Sequence, residues 1–423
     1  MRRLVSCGVT SAPALALLTA RTVRVDDPGP LLELLPDTGA LAWVTGSQGL
    51  VGWGEAARLD LKGPDRFAQA EAWWRDLLAD ADIVDEVGVP GCGLLAFGSF
   101  AFDASTGSSA LVVPEVVVGH RDGAWWRTTV KAEGTQIRTP ERSAVRPPGT
   151  VRFADGALSS AAWGRIVDDA VHRIAAGQVA KVVLALDLEA CLEKPLDVRW
   201  PLARLAADYP GCRTFAVEGL LGATPEVLVR LEKGVATSRV LAGTIRRSGD
   251  AGRDVVEAAS LARSSKDLEE HEYAVRSVAE ALTRHCGGSV DVPSEPFVLH
   301  LPNVMHLATE VTGQVTDGST SLGLVSSLHP SAAVCGTPTD AAMELIRELE
   351  GMDRGRYAGP VGWMDSTGDG EWGIALRCAE VDRDDPCRLR LFAGCGIVAG
   401  SRSQEELAES VAKLIPMRDA LQS

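Results

Sequence analysis

Short apolar segments joined by tight turns dominate the chain, and this pattern restricts the folds open to it. The stretch GALAWVTGSQGLVGWGEA has the residue alternation of two strands and glycines at the turns, as a hairpin does. A turn at 366–370 separates two later strand-like segments. Antiparallel strands can be joined by two residues, whereas parallel strands need a crossover of a dozen or more. Because such turns outnumber helical crossovers, the sequence predicts an α+β fold with large, mainly antiparallel sheets flanked by helices.

Helical periodicity appears at a few separated places. The stretch DRFAQAEAWWRDLLADA places Phe67, Ala70, Trp74 and Leu78 on one stripe. A polar, proline-rich interval at 131–155 is a plausible linker. After it come an amphipathic helix and the apolar strand KVVLALDL, and the segment RTFAVEGLLGATPEVLVRLEKGVATSRVLAGTIRR predicts three strands.

Composition excludes several classes of protein. The 423 residues carry a formal net charge of −15, which disfavours nucleic acid as a partner and requires local cations around any anionic ligand. No run approaches 18 uncharged apolar residues, and the N-terminal stretch lacks a continuous apolar core, so we expect no membrane span and a cytoplasmic protein. Nine cysteines without a CxxC pair indicate neither a zinc site nor a disulfide framework.

The stretch LFAGCGIVAGSRSQEELAES joins a strand to a helix through a GxG sequence, as dinucleotide sites do. Such a site needs a complete βαβ unit with an acidic residue about 20 positions further on. Only 423 − 396 = 27 residues follow Gly396, enough for one helix and no second strand. The pattern therefore disfavours a nucleotide and leaves the ligand of this segment to be inferred from the rest of the chain.

Two helical segments carry carboxylates one turn apart. Asp267 and Glu270 have i,i+3 spacing, and so do Glu406 and Glu409 in the closing helix. One interpretation is a pair of solvated faces, with Glu409 and Lys413 as an i,i+4 ion pair. The other is a site for a hard cation, because carboxylate oxygens suit Mg²⁺ that keeps water ligands and binds a substrate anion.

Three isolated residues also allow two interpretations. Lys181 opens an apolar strand and Glu226 follows a proline in a turn, where both side chains are usually solvated. Arg377 lies within the apolar stretch GIALRCAEV, and a buried arginine is usually paired with an acid or a bound anion. None of these residues identifies a function by itself.

Taken together, nine blocks occur in the order seen in chorismate-utilising enzymes: KVVLA, GATPE, LAGT, SSKDLEEHE, HLAT, LHPSAAVCGTP, YAGPVGW, GDGEWGIALRCAEV and FAGCGIVAGSRSQEELAES. The set resembles isochorismate synthases most closely. The resemblance implies the chorismate-binding-enzyme fold, with residues 157–423 as the chorismate-binding catalytic domain. We expect residues 1–150 to be a variable N-terminal region packed as part of the same globule.

The resemblance implies a metal site and an anion site for the substrate chorismate. Mg²⁺ would be bound by Glu270 and Glu409, with Asp267 and Glu406 assisting through water.

Arg377 and Lys413 would bind the enolpyruvyl carboxylate, and backbone N–H groups at Gly394 and Gly396 would approach a substrate carboxylate because no Cβ blocks them. The other substrate-binding residues implied by the resemblance are Gly243, Thr244, His306 and Tyr357.

The same resemblance assigns the chemistry to Lys181 and Glu226. Water adds at ring C2 while the C4 hydroxyl leaves, so one side of the ring needs a base, Lys181, and the other an acid, Glu226. Salicylate synthases keep this pair and then eliminate pyruvate, so they remain an alternative. Relatives that add ammonia lack a lysine at the position of Lys181. A chorismate-binding protein without turnover is a further alternative, and the sequence separates neither menaquinone from siderophore synthesis nor one oligomeric state from another.

Overall fold

The structure is a computed structural model, and it describes residues 17–132, 143–302 and 304–422. Within these ranges the chain forms 22 strands and eight helices, with a short 3-10 helix at Leu31–Leu34. No helix in the described ranges is long and apolar enough to cross a membrane.

The strands, numbered in chain order, are β1 Leu18–Arg24, β2 Leu41–Thr45, β3 Gln48–Trp53, β4 Ala57–Leu61, β5 Asp82–Asp85, β6 Leu95–Ser99, β7 Ser109–Val113, β8 Val116–Arg121, β9 Ala124–Ala132, β10 Val151–Asp155, β11 Lys181–Leu192, β12 Arg213–Val217, β13 Leu220–Thr224, β14 Val227–Glu232, β15 Val235–Arg246, β16 Phe297–His300, β17 Val304–Gln314, β18 Gly336–Thr337, β19 Pro360–Asp365, β20 Gly370–Ile374, β21 Cys378–Val381 and β22 Arg388–Ile397. The helices are α1 Arg66–Asp80, α2 Ser160–Ala175, α3 Arg199–Asp208, α4 Ala251–Leu261, α5 Ser265–Thr283, α6 Ser321–Leu328, α7 Thr339–Leu349 and α8 Ser403–Leu421.

The strands form two sheets. The 13-stranded sheet has the order β10-β11-β22-β21-β13-β12-β2-β3-β8-β9-β1-β5, with β18 paired to β11, and the 9-stranded sheet has the order β16-β17-β15-β14-β20-β19-β6-β7-β4. Among the described strands, only β1 and β5 pair in parallel. The predicted α+β fold with large antiparallel sheets is therefore confirmed.

Apolar side chains from both sheets form one large core. The indole of Trp43 on β2 packs against Phe215 on β12 and reaches Gly373 on β20, so residues of the two sheets are in contact. Helix α5 packs on β15 and β17, and α8 packs on β22. Helix α5 begins after Ser264, whose hydroxyl accepts a hydrogen bond from the backbone of Asp267 and caps the first turn. These contacts fix the two carboxylate-bearing helices against the strands that carry the remaining predicted site residues.

Two local predictions are wrong. The segment from Arg213 onward forms four strands and not three, because a two-residue turn at Glu218 and Gly219 divides β12 from β13. Both turn residues have positive φ, 54° and 79°, a conformation that a glutamate rarely adopts and that its sequence does not signal. The predicted linker ends in strand β10, which pairs with β11, while residues 133–142 lie outside the described ranges.

Candidate active site

Most of the predicted site residues line a single cleft near the paired strands β11 and β22. The cleft contains about 670 Å³ of empty space, open solvent included. Residues of both sheets, of α5 and of α8 contribute to its walls. The predicted residues that line it are Glu226, Gly243, Glu270, His306, Tyr357, Arg377, Gly394, Gly396 and Lys413.

Lys181 is completely buried at the beginning of β11, so the interpretation of Lys181 as a solvated strand-start lysine is wrong. Its Nζ lies 3.2 Å from Oε1 of Glu270, but it has no hydrogen-bond acceptor among the described residues. The contact with Glu270 is thus Coulombic without hydrogen-bond geometry. A buried ammonium with unused donors is available for a ligand or for proton transfer.

Gly396 makes this approach possible. A Cβ at Gly396 would lie 2.2 Å from Oε1 of Glu270 and 2.9 Å from Cε of Lys181. Any other residue would therefore push these two side chains apart. Gly394 and Gly396 lie within strand β22 and not in a loop, and a Cβ at Gly394 would lie 2.6 Å from the carbonyl oxygen of Leu184 on the neighbouring strand.

Glu226 lies between β13 and β14, and only 5% of it is exposed, although turn carboxylates are usually solvated. Burial raises the pKa of Glu226 to about 8, while a hydrogen bond from the backbone of Leu241 opposes the rise. The carboxyl group is consequently protonated at neutral pH. This is the state required of a general acid.

Arg377 and His306 form a neighbouring pair on another wall of the cleft. Arg377 is buried with a positive φ of 50°, and no carboxylate oxygen of the described residues lies within 4 Å of its guanidinium. Its NH2 group lies 3.2 Å from Nε2 of His306. Burial and the nearby Arg377 hold the pKa of His306 well below its usual value, so the imidazole is neutral and Nε2 can accept this hydrogen bond. Burial also lowers the pKa of Arg377. An arginine in this setting is suited to bind an anionic ligand.

Lys413 joins α8 to β22. Its Nζ donates to the carbonyl oxygen of Gly394 at 2.9 Å and to Oε1 of Glu409 at 2.6 Å. The i,i+4 ion pair expected from the sequence is present, but it lies at the cleft and not on a solvated face. Two of the three ammonium donors are engaged, which leaves one for a ligand.

Acidic side chains collect beside Lys181 and Lys413. Burial raises the pKa of Glu409, Lys413 opposes the rise, and the nearby charges of Glu270 and Glu406 add to it. The interpretation of these faces as solvated is thus wrong for Glu406, which is buried, and Glu409 is half-buried. Among the described residues, no group of three or more His, Cys, Asp or Glu side chains could by itself hold a metal ion. One or two carboxylates suffice for Mg²⁺ when substrate and water complete its ligands, so the donor set fits that ion.

The remaining predicted residues lie around these groups. Gly243 has a φ of 75°, and a Cβ there would approach Cβ of Asp267 to 3.0 Å. Thr244 pairs through its backbone with His306 across β15 and β17, and its side chain lies outside the described part of the structure. The ring of Tyr357 is buried and stacks on the ring of Phe392, with 5.1 Å between the ring centroids. Burial raises the pKa of Tyr357, so its hydroxyl remains protonated.

Glu350 and Arg354 form a buried ion pair that the sequence motifs did not predict, although Arg354 lines the cleft. Strand β11 pairs with β18 at its beginning and with β10 at its end. Between these two stretches, the side chains of Glu350 and Arg354 form hydrogen bonds with the backbone of β11. Arg354 donates to the carbonyl oxygens of Val183 and Val334 at 2.8 and 3.0 Å, and Glu350 accepts from the backbone of Ala185 at 2.7 Å. The only sequence signal was an i,i+4 spacing, which is equally typical of exposed pairs.

Comparison with known proteins identifies the class. The family model described as chorismate binding enzyme matches residues 41–422, so the chain belongs to this family. The salicylate biosynthesis isochorismate synthase of Pseudomonas aeruginosa is 33% identical over 441 residues, covering 96% of this chain and 90% of that protein.

The isochorismate synthase DhbC of Bacillus subtilis is 40% identical over 267 residues, covering 60% of this chain and 66% of that protein, slightly less than two thirds. The fold is shared with MenF, the menaquinone-specific isochorismate synthase of Escherichia coli, with a TM-score of 0.79, 23% identity and coverage of 97% of both chains.

Proposed function

We propose that this chain is an isochorismate synthase, which converts chorismate into isochorismate. The observation that carries the proposal is one cleft lined by a buried, protonated glutamate, Glu226, and by a buried arginine, Arg377, which has no carboxylate partner among the described residues. The buried Lys181 lies beside this cleft, 3.2 Å from the cleft-lining Glu270. The relatives named isochorismate synthases support the same reaction.

Arg377 and Lys413 account for substrate binding. Chorismate carries two carboxylates, and a chain with a net charge of −15 needs local cations to bind it. The guanidinium of Arg377 can bind a carboxylate through two parallel hydrogen bonds, which a lysine cannot do. Lys413 contributes its remaining donor, and the neutral His306 holds the guanidinium from the side.

Lys181 and Glu226 account for the proton transfers. Lys181, in its neutral form, takes a proton from water as the water oxygen bonds to ring C2. Glu226 gives its proton to the C4 hydroxyl, which leaves as water while the ring double bond shifts. One water enters and one leaves, so the overall change is an isomerisation. Proton return from Lys181 to Glu226, through solvent, restores both groups.

The acidic side chains are proposed to hold Mg²⁺. Glu270 and Glu409 would be its ligands, with Asp267 and Glu406 assisting through water. Bound there, Mg²⁺ would supply positive charge for the ring carboxylate of chorismate.

A product assay with matched variants tests the proposal. The purified chain is incubated with chorismate and Mg²⁺, and isochorismate, salicylate and anthranilate are resolved by chromatography. We expect isochorismate from the unmodified chain and from a Lys131→Ala control, which removes an exposed lysine, and almost none from Lys181→Ala. Salicylate or anthranilate as the main product, or full turnover in Lys181→Ala, would contradict it.

A further inference from the structure

Two of the places where the polypeptide crosses between the sheets are adjacent, and each of these two crossings carries a residue of the proposed mechanism. The first crossing leads from β13, which ends at Thr224, to β14 in the smaller sheet, and it contains Glu226. The second leads from β20, which ends at Ile374, back to β21 in the larger sheet, and it contains Arg377. The separation of these two crossings therefore sets the separation of the acid from the anion-binding arginine.

The hydroxyl of Thr224 connects the two crossings. Thr224 is fully buried, and its Oγ1 donates to the carbonyl oxygen of Ile374 at 2.6 Å and accepts from the backbone N–H of Glu226 at 3.2 Å. The backbone N–H of Ile374 in turn donates to the carbonyl oxygen of Glu226 at 3.2 Å. The backbone N–H of Glu226 is thus bound by the side chain of Thr224, and its carbonyl oxygen is bound by the backbone N–H of Ile374, where the second crossing begins.

The backbones of the two crossings also pack closely against each other around the Thr224 hydroxyl. The backbone N–H of Ala223 donates to the carbonyl oxygen of Arg377 at 3.2 Å, and a Cβ at Gly222 would lie 2.6 Å from that oxygen. A Cβ at Gly373 would lie 3.0 Å from the carbonyl oxygen of Glu226. The two glycines allow the crossings to approach, and the Thr224 hydroxyl fixes their register.

We propose that Thr224 is a positioning residue that holds the acid Glu226 in register with the substrate anchor Arg377. The inference rests on the proposed function, which makes Glu226 the acid and Arg377 the anchor. Proton delivery requires the donor within hydrogen-bond reach of the leaving oxygen, and small displacements of reacting groups lower turnover strongly. Substrate binding by Arg377 and Lys413 does not need the hydroxyl of Thr224, so its loss acts on turnover.

The test compares Thr224→Val, which keeps the shape and removes the hydroxyl, with Thr224→Ser, which keeps the hydroxyl. We expect kcat of Thr224→Val to fall by about tenfold or more, with KM for chorismate changed by less than about twofold. Thr224→Ser should stay within about twofold of the unmodified enzyme in both constants. Thr128→Val is the matched control, because Thr128 is also fully buried, and its hydroxyl bonds to Thr22 at 2.7 Å away from the cleft. It should leave kcat unchanged.

A double substitution separates positioning from a general loss of structure. If Thr224 acts through Glu226, adding Thr224→Val to Glu226→Gln should lower the residual turnover by less than about twofold. If Thr224→Val does not fold, Thr224→Cys replaces the hydroxyl by a thiol that bonds weakly, and it should show an intermediate loss of kcat.

Normal kcat in Thr224→Val, an equal loss in Thr224→Ser, or full additivity with Glu226→Gln would overturn the inference. Full turnover in Glu226→Gln would instead overturn the proposed function.

Discussion

Replacing Glu226 with glutamine should leave only a small residual turnover and at the same time stabilise the fold at neutral and alkaline pH. An amide can occupy the buried site and donate a hydrogen bond, but it cannot deliver a proton to the leaving hydroxyl. It also carries no charge that burial would penalise. The two effects have opposite signs, which separates this substitution from one that merely disrupts the structure.

The pKa of Glu226 sets the size of the effect on stability. Burial raises this pKa from 4.5 to about 8, so the folded chain keeps a proton that the unfolded chain releases. The resulting contribution to stability is fully present below about pH 4.5 and is lost as pH rises to about 8. Glutamine has no such dependence. The free energy of unfolding of Glu226→Gln, relative to the unmodified chain, should therefore rise by about 1.4 kcal/mol for each pH unit in that window.

Urea unfolding at about pH 5.5 and about pH 7.5 measures this difference. Across those two pH units the advantage of Glu226→Gln should grow by roughly 3 kcal/mol. Glu295→Gln removes an exposed carboxylate and should show no comparable trend. For the unmodified enzyme, kcat/KM should fall above about pH 8 as Glu226 loses its proton. A difference in stability that stays constant with pH would refute the burial argument.

Three further predictions concern the metal, the nucleophile and the base. A chelator should abolish activity and Mg²⁺ should restore it, and Glu409→Gln should lower turnover at least about 100-fold with an unchanged circular dichroism spectrum; full activity would remove Glu409 from the site. With ammonium salts and Mg²⁺ present, chromatography should still show isochorismate and no aminated product, because the proposed base, Lys181, is suited to water as the nucleophile. In Lys181→Ala, kcat should fall by about 100-fold or more while KM changes much less, and steady-state kinetics that show only a raised KM would make Lys181 a substrate anchor.

The sequence predicted the fold class because its evidence is local. Turn residues between apolar segments specify antiparallel neighbours, and the structure pairs them so almost throughout. Where the local signal is misleading, the prediction fails, as at Glu218, whose left-handed backbone gives a hairpin without a typical turn sequence. Sheet order and the approach of the two crossings that carry Glu226 and Arg377 depend on contacts between residues distant in sequence, which the periodicity of the sequence does not reveal.

The site shows the same division between local and distant information. Lys181 at a strand start and Glu226 in a turn have the sequence context of solvated side chains, and the motifs assigned them roles only through resemblance to a family. Lys181 is buried because α5 and β22 pack around it. Glu226 is buried because the crossing beside β20 packs against it. Thr224 could not be singled out from the sequence, because its importance lies in a hydrogen bond to Ile374, 150 positions away.

The arrangement of charge explains how an acidic chain can bind a dianion. Arg377 is buried with no carboxylate of the described residues within 4 Å, and Lys181 has no hydrogen-bond acceptor among them. A buried charge without a carboxylate partner carries a penalty of several kcal/mol, so the surroundings of Arg377 favour binding of an anion. An anion bound at Arg377 would remove that penalty, and Glu270 and Glu409 are the carboxylates proposed to bind a cation. Lys181 and Lys413 already face Glu270 and Glu409 at 3.2 and 2.6 Å, so Arg377 is the cation of this cleft whose charge an anionic ligand would balance.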